Sequence, residues 1–153
     1  MTHIHLAQAL AVRDDRILLV ASRYPNHTEP LWNLPGGRQR FGELLGDTAE
    51  RELFEETGLR GVAGELAYIN ESYDGEKHFV AAVFHTGVRD GTLRAAQNDH
   101  VERVEWVPLD AIAGRIVADV VRAPLLAYLG GGLRRRYAGR LVAGISVEWP
   151  DEA

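Results

Sequence analysis

The chain contains no cysteine, which excludes disulfides, thiolate metal ligands and a cysteine nucleophile. No run approaches the ~20 apolar residues that a membrane-spanning helix needs. The start, Met1-Thr2-His3-Ile4-His5, lacks the basic-then-apolar order of a secretion signal. A cytoplasmic protein without membrane contact is therefore expected. Positive charge is also short: 17 Lys and Arg against 22 Asp and Glu give a formal net charge of −5. General nucleic-acid binding calls for the opposite balance, because phosphates are neutralised by an excess of Lys and Arg. A small anionic substrate stays open, since a bound metal ion inverts the local field.

What is present fits one domain over 1–153, with 46% hydrophobic and 25% charged residues and enough length to bury a core. Ile4–Val12 alternates loosely, and Ile17–Ala21 is an apolar run after Arg13-Asp14-Asp15-Arg16. This reads as two strands joined by a tight turn. Leu31–Leu34 reads as a short strand ended by Pro35-Gly36-Gly37. Asp47–Thr57 is the clearest helix, with Asp47 and Glu50 in capping-box spacing and Gly58 suited to the left-handed closing position. Gly64–Ser72 and His78–Thr86 read as a strand pair around Asp74-Gly75, and Asp90-Gly91 as a further turn. Val101–Val107 reads as a strand ending at Pro108. Asp110–Leu129 reads as helical, interrupted near Pro124. The tail 130–153 offers at most one more strand, over Leu141–Val147.

The chemistry concentrates between Gly37 and Leu59. Five residues separate Gly37 from Glu43, and seven more precede Arg51-Glu52-Leu53-Phe54-Glu55-Glu56-Thr57-Gly58-Leu59. Glu52 and Glu56 are four apart and Glu55 lies on the neighbouring face, so one helix concentrates three carboxylates. Like charges at this spacing cost an isolated helix about 0.2–0.5 kcal/mol per pair. Taken alone, such a run is a solvated face. The glycine turn and Glu43 at fixed distances upstream turn the reading toward a metal site. An all-oxygen donor set suits a hard cation, Mg2+ with Mn2+ as substitute, whereas zinc favours histidine or cysteine.

At every fixed position this run resembles the signature box of the Nudix hydrolases. The resemblance implies an α/β/α sandwich with a mixed β-sheet between helices. It also implies Mg2+-dependent hydrolysis of a phosphoanhydride bond in a nucleoside diphosphate-linked small molecule. Carried over by position, Glu52, Glu55 and Glu56 are metal ligands, and Gly36 lends its backbone carbonyl. Arg51 holds the carboxylates by ion pairing. Glu43 braces the loop or reaches the metal through water. The general base stays open among Glu52, Asp99 and Glu102, the last two also reading as a solvated loop and a strand edge. Arg23 and Arg38 are candidates for the substrate phosphates. Tyr73, Tyr24 and Trp32 could stack on a base, although aromatics bordering strands are more often core. A homodimer is common in the family.

The box does not name the substrate. No proline lies between Pro35 and Pro108, where the ADP-ribose type carries one. Markers of the coenzyme A and NADH types are also missing, and Tyr73 is near but not at the spacing of diadenosine polyphosphate hydrolases. A nucleoside triphosphate, oxidised forms included, leads by elimination. ADP-ribose or a nucleotide sugar follows. A non-catalytic nucleotide sensor is disfavoured by the intact glutamates. His3 and His5 share a strand face, and Arg134-Arg135-Arg136 reads as solvated surface or a contact to a partner subunit.

Overall fold

The computed structural model describes residues 1–95 and 100–150. The elements run β1 (Thr2–Leu10), β2 (Val12–Arg13), β3 (Arg16–Ser22), β4 (Leu31–Asn33), β5 (Gly36–Arg38), α1 (Leu45–Thr57), β6 (Leu59–Asp74), β7 (Lys77–Gly91), β8 (Val101–Pro108), α2 (Ile112–Arg115), α3 (Asp119–Leu129) and β9 (Tyr137–Arg140). One sheet has the order β5-β1-β7-β6-β9. It is mixed, because β1/β7 and β6/β9 are parallel while β1/β5 and β6/β7 are antiparallel. In the second sheet β3 pairs antiparallel with β2, β4 and β8.

Successive strand residues point to opposite faces, and that alternation sorts the core into two layers. Leu10, Ile17 and Leu19 pack with Ile112, Ile116 and Leu125 of the α2–α3 region. Ala9, Ala11 and Leu18 pack instead with Leu53 of α1 and with Leu59. The helices therefore cover opposite faces, which is the expected α/β/α sandwich. Among the described residues no helix is long and apolar enough to cross a membrane.

Several local expectations are corrected. The two N-terminal strands do not pair along their length. β1 runs parallel to β7, with His3 opposite His78, a partner 75 residues away that local alternation cannot reveal. The tight turn is real but closes only the β2–β3 hairpin, with Asp14 and Asp15 both at positive φ (51° and 59°). The residues read as the end of a strand, Gly36 and Gly37, begin β5 on the edge of β1. Asp90-Gly91 belongs to β7, paired with Arg60 and Leu59.

Helix α1 starts earlier than its capping spacing implied. Asp47 sits inside the first turn, and its carboxylate accepts the Leu44 N–H at 3.0 Å. Glu50 accepts the Ala63 N–H at 2.8 Å rather than completing the box. Gly58 closes the helix as expected, at φ 77°. The C-terminal helix breaks between Arg115 and Asp119 instead of at Pro124, which lies within α3. Proline removes the helical donor to the Val120 carbonyl; Asn70 Nδ2 donates to that oxygen at 3.0 Å and takes its place. The last strand is Tyr137–Arg140, parallel to Ile69–Ser72 of β6, and not Leu141–Val147. Leu141 and Val142 are exposed.

Candidate active site

Strand β5 and helix α1 bring the two ends of the acidic motif together. The Gly36 N–H donates to Glu56 Oε1 at 2.8 Å, and Glu56 is only 3% exposed. A Cβ on Gly36 would sit 2.5 Å from the Ala7 carbonyl oxygen, and one on Gly37 would sit 2.6 Å from the Glu52 carboxylate. Backbone approach thus requires glycine at Gly36, whereas a side chain at Gly37 would have to displace the Glu52 carboxylate. Gly36, Gly37, Glu52, Glu55 and Glu56 line one cleft of about 630 Å³.

Arg51 organises the carboxylates. Its Nε donates to Glu43 Oε2 at 2.6 Å, its Nη1 to Glu52 at 2.8 Å and Glu55 at 3.1 Å, and its Nη2 to Glu43 Oε1 and the Arg38 carbonyl, both at 3.0 Å. Glu43 also accepts the Arg40 N–H at 2.9 Å and the Thr48 hydroxyl at 3.0 Å. Glu43 is therefore bound to the loop and to the helix at once. The hydrogen bond from Arg51, aided by those from Arg40 and Thr48, lowers its pKa to about 2, and the same pairing raises that of Arg51.

Because the folded pKa of Glu43 lies below the unfolded value of about 4.3, its contribution to stability is present above that value. It is lost as pH falls toward about 2. Urea midpoints should drop between pH 5 and pH 2 in the natural protein and change less over that window in Glu43→Gln. Equal acid sensitivity in the two would contradict the coupling.

The Gly37→Ala change should leave the fold intact, as read by circular dichroism, while pushing the Glu52 carboxylate aside. Displacement of a positioned group by about 1 Å can cost about 10²-fold in rate, and kcat/KM should fall on that scale. Unchanged kcat/KM would mean that the position of Glu52 is immaterial.

The donor set suits a hard divalent ion: three carboxylates and a glycine backbone along one cleft, with no nitrogen or sulfur ligand required. As the side chains stand, Glu52 and Glu55 face Arg51 while Glu56 faces the Gly36 N–H. Among the described residues no three acidic or histidine side chains converge on a common point.

The other expected residues are placed less uniformly. Arg38 lines the cleft. Arg23 forms an ion pair with Glu102, Nε to Oε2 at 3.0 Å, on the rim formed by β3 and β8, and neither is among the cleft-lining residues. Tyr73 stacks on His78 with centroids 4.4 Å apart and is not brought to the cleft. Asp99 lies outside the described residues. Tyr24 does line the cleft, and so do Arg40, His100 and Trp149, which sequence reasoning missed. Arg40 lies inside the motif and reaches Glu55 at 3.6 Å, so its spacing was a usable signal. Trp149 is 90 residues or more from the motif, and nothing local pointed to it.

The NUDIX domain family model matches residues 3–129. The chain is 40% identical over 67 residues to diphosphoinositol polyphosphate phosphohydrolase 3-beta of Homo sapiens, covering 43% of this chain and 38% of that protein. It is 30% identical over 102 residues to nucleoside diphosphate-linked moiety X motif 6 of Mus musculus, covering 64% and 32%. The chain thus spans well under half the length of these curated relatives. Among solved structures it resembles the MutT NUDIX hydrolase from Burkholderia pseudomallei, with a TM-score of 0.64 and 30% identity over 72% of this chain and 86% of that one. With its motif intact and most of its length matched, the chain belongs to the NUDIX domain family.

Proposed function

We propose that the chain is a Mg2+-dependent hydrolase that cuts a phosphoanhydride bond in a nucleoside diphosphate-linked substrate, with nucleoside triphosphates, oxidised forms included, as the leading class. The observation that carries this reading is the gathering of Glu52, Glu55 and Glu56 with Gly36 along one cleft, next to the cations Arg38 and Arg40. Relatives named for a nucleoside diphosphate-linked moiety and for diphosphoinositol polyphosphate support a phosphorylated small molecule as substrate.

In this reading Glu52, Glu55, Glu56 and the Gly36 carbonyl hold the metal ion. When bound, Mg2+ neutralises phosphate charge and acidifies the attacking water. Arg51 holds Glu52 and Glu55 at the side of the cleft, from which their carboxylates would turn toward Glu56 as the metal ion binds. Arg38 and Arg40 grip phosphate oxygens. A carboxylate oxygen of Glu52 takes the proton of the attacking water. Glu52 lines the cleft and Glu102 does not, which supports a base on the helix over one on β8.

The test is a panel of nucleoside triphosphates, oxidised deoxynucleoside triphosphates, ADP-ribose, nucleotide sugars and a diphosphoinositol polyphosphate with Mg2+. Products are scored as phosphate, pyrophosphate or nucleoside monophosphate. Metal-dependent release from nucleoside triphosphates is expected. Preference for ADP-ribose or nucleotide sugars would move the substrate class, and nucleotide binding without product would make the domain a sensor.

A further inference from the structure

The tail read from sequence as a strand has no sheet partner, yet its alternation is used. Ala143, Ile145, Val147 and Trp149 all line a side pocket of about 150 Å³. Trp149 also lines the main cleft, as do Leu6, Gln8, Tyr24 and Asn33, so the two spaces adjoin. The side pocket is walled by Tyr24, Trp32 and Phe79 as well, with the amides of Asn33 and Asn70 among them.

The tail is held by specific bonds. The Ala143 N–H donates to the Tyr73 carbonyl at 2.8 Å. Asn26 bridges two tail positions, its Nδ2 donating to the Ser146 carbonyl at 2.8 Å and its Oδ1 accepting the Glu148 N–H at 2.9 Å. His27 Nε2 lies 2.7 Å from that same Ser146 carbonyl oxygen. At the far end the Arg38 guanidinium lies over the Trp149 ring at 4.1 Å. The family model's match ends at residue 129, so this wall is built by sequence beyond the matched region.

We propose that residues 143–149 form one wall of a recognition subsite for the planar base of a nucleotide, with Trp149 as the residue that sets affinity for that base. An aromatic-walled pocket with amide groups suits a flat ring with a polar edge. The adjoining cleft, with Arg38 and Arg40, suits the attached phosphates. The proposal deepens the hydrolase reading but concerns binding, so the two can fail separately.

Nucleoside monophosphates and ribose 5-phosphate are titrated by calorimetry, without metal, into the natural protein, Trp149→Ala, Trp149→Phe and Asn26→Ala. Trp149→Ala should weaken monophosphate binding about 10-fold or more, the scale of one lost base-stacking contact. Its grip on ribose 5-phosphate should stay within about 2-fold. Trp149→Phe should recover part of the affinity, and Asn26→Ala, which unclamps the tail, should lose part of it. Absence of monophosphate binding by the natural protein would overturn the subsite. So would equal affinity in Trp149→Ala, or an equal loss for ribose 5-phosphate. Base binding that depends on Trp149 without turnover would defeat the hydrolase reading alone.

Discussion

Replacing Glu56 with glutamine should abolish most turnover and leave the fold in place. Glu56 is 3% exposed and accepts the Gly36 N–H at 2.8 Å. Glutamine has the same shape and keeps an oxygen to accept that bond, so the packing between β5 and α1 survives. It lacks the negative charge with which a carboxylate offsets that of a divalent ion, so the proposed site would hold the ion more weakly. Loss of metal-borne charge stabilisation is worth several kcal/mol, or about 10³-fold in kcat/KM. The measurement is kcat/KM at saturating Mg2+ beside the urea midpoint. Normal turnover in a normally stable Glu56→Gln protein would remove this residue from the proposed metal site.

Arg51→Ala should cost both stability and activity. One guanidinium serves Glu43, Glu52, Glu55 and the Arg38 carbonyl. Its side chain is 18% exposed, and those of Glu43 and Glu52 are 18% and 13% exposed. Deleting it leaves partly buried carboxylates facing one another. Breaking a buried pair costs about 3–5 kcal/mol; partial solvent access and the more open Glu55 bring the expected loss to about 2–4 kcal/mol by urea denaturation. Arg51→Lys should recover only part of it, because an ammonium is a point charge without the planar fork that reaches four acceptors. A loss under about 1 kcal/mol in the alanine variant would mean that solvent, not Arg51, satisfies these carboxylates.

Both predictions concern a stretch whose acidic cluster is legible in the order of its residues. The fixed spacing of Gly37, Glu43, Arg51 and the three glutamates announced it, since a helix and a turn are local objects whose side-chain directions follow from residue spacing. The expected ion pairs of Arg51 are present. Glu43 was expected either to brace the loop or to reach metal through water, and its bonds to Arg40, Thr48 and Arg51 are those of a brace. Tyr73 was misjudged as a neighbour of the site because strand direction decides which face a residue takes. On β6 Tyr73 turns to His78, while Ser72 and Asp74 line the side pocket.

Local order thus carried the helix, its glycine closure and the acidic cluster, all of which depend on residues within a turn or two of one another. The sandwich class followed from the order of strands and helices along the chain and from the family resemblance. Long-range pairing decided the rest. β1 found β7 rather than β3, Asn70 supplied the donor that let α3 pass through Pro124, and Asn26 tied the tail so that Trp149 reached Arg38. Periodicity states which face of a segment is apolar; which surface covers that face depends on chain closure across tens of residues, and no local pattern encodes it.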